Sequence, residues 1–580
     1  MDSIKWIFSY LKKHKFNYFF ALFLVLMTSA INMINPFITG RIIDRVFGNG
    51  ETSLLIPLVS IMISIVAIKG IITFSYQMLL EHISQDVLFK IRTDLYDKLL
   101  NLDVNFYSRV KTGDIMARMT GDTDAIRHFI AWVVYNILSA VTTFSFAIIA
   151  MMYVNWILTL FMLLIAPMIG FLTFKMSKEI SPTFYNIREA YSKLNSVVQE
   201  NISGNRVVRA FGREDFEVNK FTRENENYKN RNLDTINVTK KYIPKLEFLS
   251  NSLSVIMILV GGILVALGKM TFGELIIFSS LLWALNNPMR MSGYLINDAQ
   301  RFIASSAKIM ELINTESIII NKNNVYNVNK FEGNIEFKNV SLTLEGRKVI
   351  NNISFKVEAG QTVGLVGHTG SGKSLIINLL SRFYDATEGD IYIDGINIKD
   401  IDLDILRGNI ATAMQDIFLF SDTIKDNIAF GNPKASFPEV EEVSKRAQAH
   451  DFIKGLDEGY ETIVGERGVG LSGGQKQRVS LARAMMKNAT IFVLDDVTSA
   501  VDMETEKKIQ HELKNMKEKK TTFIIAHRIS SLKQADLILV LDNGEIVERG
   551  THNELVQKGG YYSNIFYTQY GNIDTRIGGV

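Results

Sequence analysis

A glycine-rich run in the second half of the chain has the residue types and spacing of a phosphate cradle. It begins at Gly367 and ends with Gly372, Lys373 and Ser374, which matches the pattern G-x-x-x-x-G-K-S. Glycines let consecutive backbone N–H groups close around phosphate oxygens, and the N-terminus of a following helix adds positive potential. The run follows an apolar stretch, 362–366, that reads as a strand, which is the context of a P-loop. The predicted phosphate contacts are Gly367, His368, Thr369, Gly370, Ser371, Gly372, Lys373 and Ser374.

A second apolar strand, predicted over 491–494, ends in a pair of carboxylates, Asp495 and Asp496. In a P-loop protein such a strand delivers an aspartate to the magnesium ion at its carboxyl end. We therefore expect Lys373 to reach the β- and γ-phosphates, with Ser374 and Asp495 holding Mg²⁺. The predicted cofactors are ATP and Mg²⁺.

A second anion cradle lies between these two motifs. Its residues are followed by a helix-prone stretch, 476–486, and a serine with two glycines before a helix can bind an anion through backbone N–H groups. One chain seldom needs two cradles for one triphosphate, so this cradle is expected to act on a nucleotide held by another subunit. Its members are Leu471, Ser472, Gly473, Gly474 and Gln475.

The elements that must position these motifs fall into two contrasting parts. The first part, 1–320, is basic and carries six apolar stretches of the length of a membrane helix; the second, 321–580, is mildly acidic and alternates short strands with helices. The predicted fold is therefore a polytopic α-helical membrane domain followed by an α/β P-loop domain. The absence of cysteine excludes disulfides, thiolate metal sites and cysteine nucleophiles. The expected spans are about 16–38, 54–80, 128–153, 156–176, 246–268 and 272–296.

The distribution of Lys and Arg predicts the orientation of the spans. The long connections 81–127 and 177–245 are rich in both residues, whereas the short connections on the other side carry few. By the positive-inside rule, both termini, both long connections and the ATP-binding domain are cytoplasmic, and the protein is a multi-pass protein of the cell membrane. The alternative, that the apolar runs are buried helices of a large soluble protein, fits this one-sided charge less well. The long connections are predicted to be helical extensions of the spans.

Together these motifs resemble those of an ABC exporter half-transporter, over nearly the whole chain. In that family two half-transporters pair, and each of two ATP molecules lies between the P-loop of one subunit and the LSGGQ segment of the other. The resemblance implies a linking role for Gln415, which would contact the γ-phosphate and Mg²⁺, and a switch role for His527 at the γ-phosphate. It also implies a D-loop of Ser499, Ala500, Val501 and Asp502, and coupling segments marked by Asp114, Arg213, Glu214 and Glu466.

Two positions depart from the family pattern. The family has a glutamate as general base directly after the magnesium-binding aspartate, and this chain has Asp496. A side chain shorter by one methylene lies about 1 Å or more too far from the attacking water, and misplacement of that order costs about a hundredfold in rate. The family also has an aromatic residue that stacks on adenine, where this chain has Leu344.

The resulting prediction is ATP-driven export of hydrophobic or amphipathic compounds, similar to the degenerate-site subunit of a bacterial heterodimeric multidrug exporter. The partner would supply the glutamate, and this chain's LSGGQ segment would complete the partner's site. The alternatives are a homodimeric lipid or drug exporter with two slow sites, and an ATP-gated regulatory or channel-like protein. The expected partners are a second half-transporter, the bilayer and a small substrate; no nucleic-acid partner is predicted.

The sequence says least about the substrate path. Lys69 stands in the middle of a predicted span, where a charge is costly unless it faces a cavity or a partner. An inter-helix contact or a shifted span register explains Lys69 equally well. Asn286 and Asn287, just before Pro288, are expected to break or kink the sixth span and to border a cavity.

Overall fold

The computed structural model of the chain describes residues 2–322, 325–326, 328, 330–465, 468, 470–497, 501–514, 520–526 and 528–570. The described residues fall into two compact units. One consists of Met1–Asn101 with Val110–Thr315, and the other of Leu102–Arg109 with Glu316–Val580. The short helix Val104–Arg109 therefore groups with the second unit, although it lies in the first long connection.

The first unit is entirely helical in its described residues. Its long helices end and restart at short interruptions, and several segments have a wider, π-type turn. The α-helices are Asp2–Leu11, Lys15–Ile31, Ile34–Arg41, Leu55–Asn101, Thr112–Ala117, Thr123–His128, Val134–Val154, Trp156–Leu163, Ala166–Ser203, Asn205–Ala210, Glu214–Ala266 and Phe272–Asn314. The π-type segments are Ile42–Gly48, Arg118–Asp122 and Phe129–Val133, and the 3₁₀ turns are Lys12–His14 and Thr52–Leu54.

Among the described residues, five helical stretches are long and apolar enough to cross a membrane. They are Asp2–Gly48, Thr52–Asn101, Thr112–Val154, Trp156–Ser203 and Glu214–Ala266. Each contains one predicted span, and the helices continue well beyond the apolar segments, as predicted for the long connections. The sixth predicted span lies in Phe272–Asn314, which is long but not among the five because Glu274 and the Asn286–Asn287 pair dilute its apolar run.

The helix Phe272–Asn314 does not break at Asn286 and Asn287, so the expected break is wrong, whereas the expected kink and cavity border stay predictions. Phe272–Asn314 runs unbroken through Pro288. A proline inside a helix removes one hydrogen bond, and neighbouring helices make this tolerable where they pack against it. Phe278, Leu281 and Ala284 on this helix are almost fully buried in the core of the first unit.

The connections between the helices of the first unit have specific local causes. Asn155 accepts a hydrogen bond from the Leu158 N–H at 3.1 Å and so caps the helix that begins at Trp156. At the start of Phe272–Asn314, Asp44 accepts from the Gly273 N–H and from the Thr271 hydroxyl, both at 2.7 Å. A Cβ at Gly273 would lie 2.2 Å from the Gly40 carbonyl oxygen, so only glycine permits this approach.

The second unit contains two sheets with helices packed around them. One is antiparallel with strand order β2-β1-β4-β5; the other has the order β10-β9-β3-β8-β7-β6 and is parallel apart from the β9–β10 hairpin. The strands are β1 Ile335–Leu344, β2 Arg347–Val357, β3 Thr362–Gly367, β4 Glu388–Ile393, β5 Ile396–Asn397, β6 Ile410–Ala413, β7 Ile491–Asp495, β8 Thr521–Ile525, β9 Leu537–Asp542 and β10 Glu545–Gly550. The α-helices besides Val104–Arg109 are Lys373–Leu380, Leu403–Gly408, Ile424–Ala429, Phe437–Arg446, His450–Lys454, Gly473–Met486, Met503–Lys514, His552–Lys558 and Tyr561–Tyr570, with 3₁₀ turns Ile398–Asp400, Gly459–Glu461 and Ile529–Ser531.

The parallel sheet explains why two distant motifs meet. Its central strands are apolar along their whole length because helices cover both faces, and Ile491 to Leu494 are all buried. The P-loop follows β3, the two carboxylates end β7, and β8 is the one strand between them. Because the carboxyl ends of parallel strands share one edge, the motifs come together there. The predicted fold class, a helical membrane domain followed by an α/β P-loop domain, is confirmed.

Candidate nucleotide-binding site

The P-loop is shaped by glycines that no other residue could replace without strain. Gly372 has a φ of +103°, and a Cβ there would lie 2.6 Å from the Ile350 Cδ1 atom. Gly372 directly precedes the helix Lys373–Leu380, whose N-terminus faces the loop. The Ser371 hydroxyl oxygen is buried without a hydrogen-bond partner. An orphaned hydroxyl inside a glycine-lined loop at a helix N-terminus fits a bound phosphate chain.

Lys373 occupies the position from which it can reach a phosphate. Its ammonium donates to the carbonyl oxygens of Gly367 at 2.9 Å and of His368 at 2.7 Å, so the side chain curls back over the loop. Burial lowers the pKa of Lys373, while the charges of Asp495 and Asp496 act in the opposite direction. A triphosphate would add to the stabilisation of the charged ammonium and offset the cost of its burial.

The structure brings Ser374 and Asp495 together, 121 residues apart in sequence. The Ser374 hydroxyl donates to the Asp495 Oδ2 atom at 3.2 Å. A hydroxyl and a carboxylate oxygen at this spacing are hard oxygen ligands of the kind that Mg²⁺ prefers. Gln415, the third predicted magnesium contact, is exposed just after β6, the strand beside β7 at the same edge of the sheet.

Two hydrogen bonds, one from its N–H and one to its carbonyl, hold the backbone of Asp496. It has a left-handed φ of +50°, its N–H donates to the Ile525 carbonyl of β8 at 2.9 Å, and its own carbonyl accepts from the Gln477 side chain at 3.3 Å. Its backbone therefore cannot shift easily to compensate for a short side chain. Gln477, in the helix after the LSGGQ segment, is a contact that the sequence reasoning missed.

The LSGGQ segment begins its helix earlier than predicted. The helix runs from Gly473 to Met486 rather than from residue 476, because Ser472 and Gln475 form a capping box. The Gln475 N–H donates to the Ser472 hydroxyl at 3.3 Å, and the Ser472 N–H donates to the Gln475 side chain at 2.8 Å. Gly474 lies in the first turn, and Leu471 packs half-buried against the neighbouring core. The motif is thus the N-terminus of a 14-residue helix, as an anion cradle requires.

The described part of the D-loop also caps a helix. Val501 is buried, and the Asp502 carboxylate accepts from the backbone N–H groups of Glu504 and Thr505 and from the Thr505 hydroxyl. The hydrogen bonds from Thr505 are the main cause that lowers the pKa of Asp502. Ser499, Ala500, His527 and Glu466 lie outside the described residues.

Leu344 is the last residue of a strand that leads into a hairpin turn. It ends β1 and pairs with Arg347 across a tight turn in which Glu345 and Gly346 both have positive φ. The side chain is half-buried against the core of the unit. The His368 ring meets the Tyr561 ring edge to face, with the ring centroids 4.9 Å apart. No sequence motif points to Tyr561, which lies in the last described helix.

The predicted coupling residues of the first unit lie at helix starts. Asp114 is in the first turn of Thr112–Ala117, and Arg213 immediately precedes Glu214, the first residue of Glu214–Ala266. Gly212, with a φ of +57°, supplies the turn before them. The short helices Thr112–Ala117 and Asn205–Ala210 lie in the two long connections, 81–127 and 177–245.

The first unit contains a cavity of about 440 Å³, the membrane-unit cavity. It is lined by residues of Val134–Val154, Ala166–Ser203 and Phe272–Asn314, among them Phe144, Gly170, Pro288 and Ser292. Its lining includes neither Lys69, which is half-buried, nor Asn286 or Asn287. The Asn286 side-chain oxygen is buried without a partner, and Asn287 donates to the Met291 sulfur at 3.7 Å.

Comparisons with known proteins agree with the motifs and the fold. Residues 18–289 match the family model of the ABC transporter transmembrane region, and residues 350–499 match the ABC transporter model. The chain is 39% identical over 575 residues to the uncharacterized ABC transporter ATP-binding protein YknU of Bacillus subtilis (strain 168), covering 99% of this chain and 98% of that protein. It is 33% identical over 572 residues to an ATP-dependent lipid A-core flippase of Syntrophus aciditrophicus (strain SB), covering 98% and 95%. A solved structure of a bacterial Atm1-family ABC exporter with ATP bound matches with a TM-score of 0.82 at 28% identity, over 95% of this chain and 99% of that one.

Proposed function

Because the chain belongs to the ABC transporter family as an exporter half-transporter with an ATPase domain, we propose that it exports hydrophobic or amphipathic compounds as one subunit of a heterodimer. In this proposal its own ATP site is degenerate, and its LSGGQ segment completes the competent site of the partner. The protein lies in the cell membrane with both termini and the ATP-binding unit in the cytoplasm. MgATP is held through Lys373, Ser374, Asp495 and Gln415.

The observation that carries the asymmetry is the contrast between Asp496 and the LSGGQ helix. Asp496 is one methylene shorter than the family's glutamate, and its backbone is fixed by Ile525 and Gln477. Ser472 and Gln475, in contrast, form an intact capping box at the helix start. This chain therefore has a weak general base for its own ATP and a fully formed cradle for a partner's. In a heterodimer the cradle serves the partner's site, and the weak base does no harm because the partner supplies the working base.

The proposed substrate class rests on the lining of the membrane-unit cavity. Apart from two serines, that lining is apolar and carries no ionisable side chain. The Ser292 hydroxyl donates to the Met289 carbonyl at 2.7 Å, and the Ser145 hydroxyl donates to the Val141 carbonyl at 2.8 Å. Both serines therefore offer a ligand only oxygen lone pairs. A neutral apolar moiety suits this surface, and the name of one relative, an ATP-dependent lipid A-core flippase, supports an amphipathic substrate. Lys69, Asn286 and Asn287 are proposed to border the path.

Transport in inside-out membrane vesicles tests the proposal. With MgATP outside, a lipophilic fluorescent dye should accumulate in vesicles that contain the complex, against its gradient. A non-hydrolysable ATP analogue should not support accumulation. Dye movement only down its gradient, opened by the non-hydrolysable analogue, would instead show an ATP-gated channel. Lys69→Ala should change the rate for at least one dye if the lysine borders the path.

The composition of the assembly is a separate measurement. The tagged chain, purified from its native membranes, should carry a second half-transporter of different mass in native mass spectrometry. A complex of two identical chains would contradict the heterodimer and leave the homodimer with two slow sites.

A further inference from the structure

Glu506 is a carboxylate buried in the second unit, next to the ATP-binding edge of its sheet. It is 3% exposed and lies in the first turns of the helix Met503–Lys514. Burial of a charged carboxylate is costly unless donors surround it. Its role is therefore defined by the groups that donate to it.

Four side chains donate to Glu506, and three of them come from one short segment. The Arg528 guanidinium donates to Oε2 at 3.0 Å. The hydroxyls of Ser531 and Ser530 donate to Oε1 at 2.5 and 3.4 Å. Gln510, one turn along the same helix, donates to Oε1 at 3.1 Å. Both carboxylate oxygens thus have partners, and the bonds from Arg528 are charge-assisted.

The two segments joined by this carboxylate are those on which the hydrolysis cycle depends. The helix that carries Glu506 follows directly on Val501 and Asp502, the described half of the D-loop. The donors Arg528 to Ser531 follow directly on residue 527, the position of the switch histidine. Arg528 also donates to the Val501 carbonyl at 3.4 Å, which forms a second link between the same segments.

A further contact holds the switch-side segment from the opposite direction. The Ile529 N–H donates to the Gln569 side-chain oxygen at 3.0 Å, from the last described helix. The segment Arg528–Ser531 is therefore held between the helix Met503–Lys514 and the helix Tyr561–Tyr570. Removal of the Glu506 charge would weaken the acceptor that Arg528 and two hydroxyls share, so the segment would lose its main side-chain contact with the helix Met503–Lys514.

We infer that Glu506 is a positioning residue that couples the D-loop to the segment following the switch histidine. A shift of the D-loop moves the segment Arg528–Ser531, and the reverse also holds, because one buried carboxylate is bound to both segments. This inference rests on the proposed head-to-tail pairing in one respect only, the direction of the signal. In that pairing the signal runs from the ATP held by this chain to this chain's D-loop, which lies at the partner's site. The loss of turnover that it implies holds for a heterodimer and for a homodimer alike.

The test is Glu506→Gln in the intact complex, which keeps the shape of the side chain and removes its charge. The steady-state kcat for MgATP should fall between about tenfold and about a hundredfold, the cost of misplacing a catalytic segment by about 1 Å. The KM for ATP should change less than twofold, because the P-loop contacts lie elsewhere. Ser531→Ala, which removes one donor only, should give a smaller fall in kcat and guards against misfolding of the first variant.

The control is Asp385→Asn, which removes the carboxylate of another ion pair in which one of the two side chains is buried. The Arg382 guanidinium donates to Asp385 at 3.0 Å, and its side chain is 4% exposed, as is that of Glu506. Asp385→Asn should lower the melting temperature with kcat per ATP-binding site unchanged. A cycle of Glu506→Gln with Arg528→Met should be non-additive in kcat, because both changes break the same contact.

Two results would overturn the inference. One is an unchanged kcat in Glu506→Gln. The other is a loss of kcat that only follows loss of ATP-binding capacity, as a purely structural role predicts. The kcat and the ATP-binding capacity of the variant are compared with those of the unmodified complex. The outcome therefore does not depend on whether the partner is a second copy of this chain or a different chain.

Discussion

At the scale of single residues, the ATP site combines groups whose positions are set by very short-range rules. The P-loop glycines fix the curve of the backbone, and that curve brings Lys373 over the loop carbonyls. The sequence spacing predicted these positions because the motif is local. The motifs also predict that Ser374 and Asp495 hold the same Mg²⁺, and the strand order of the sheet brings these two side chains into hydrogen-bond contact. Contacts that depend on the strand order and are made by residues outside the motifs have no such local signal. Tyr561 and Glu506 were missed for the same reason.

Lys373→Ala should weaken ATP binding by about tenfold or more, because it removes a charge-assisted contact to phosphate. Equilibrium titration with a fluorescent ATP analogue measures this. Lys425→Ala is the control, since Lys425 forms an exposed ion pair with Glu461 and should leave the affinity unchanged. Equal affinities of Lys373→Ala and the unmodified protein would mean that the phosphate chain lies elsewhere.

At the scale of elements, helix ends were the part of the structure least visible in the sequence. The LSGGQ helix starts at Gly473 because the Ser472–Gln475 capping box outweighs the low helix propensity of two glycines. The spacing S-x-x-Q contains that signal, but it was interpreted only as an anion cradle. The residues Asn286 and Asn287, just before Pro288, predict a break or kink in the sixth span, yet the helix Phe272–Asn314 continues through all three positions. Helix ends predicted from local residue preferences therefore agree with the structure only where no capping or tertiary contact acts against those preferences.

Asp44→Ala should destabilise the first unit by about 1–2 kcal/mol, because the carboxylate caps the start of Phe272–Asn314 from another helix. Thermal unfolding in detergent, followed by circular dichroism, measures the effect. Glu51→Ala, an exposed carboxylate on the same connection, is the matched control and should leave the melting temperature in place. If both variants melt alike, the cap contributes nothing to stability.

At the scale of the whole molecule, two units with unrelated architectures lie in one chain, and the sequence predicted both. Six apolar runs with one-sided charge indicated the membrane part, and the strand–loop–helix motif indicated the ATPase part. The apolar cavity of the first unit is lined by helix segments around Phe144 and Pro288. Long-range packing of apolar helices has no short sequence signature, so this feature required the structure.

The central claim is that this chain contributes a weak base to its own ATP and a working cradle to its partner's. Steady-state ATPase activity of the purified complex tests it through two variants and a control. Ser436→Arg is the control for loss of a helix cap, because Ser436 forms the same kind of capping box with Glu439 at the helix Phe437–Arg446. Its turnover should stay close to that of the unmodified complex.

Asp496→Asn should reduce turnover by well under the factor of roughly 10²–10⁴ that loss of a working general base would cause. Ser472→Arg should nearly abolish turnover, because it places a bulky cation in the cradle that faces the partner's γ-phosphate. In a complex whose two sites are alike, both variants damage the same chemistry, and neither effect is mild. A loss of activity in Asp496→Asn as large as that in Ser472→Arg would contradict the asymmetric account.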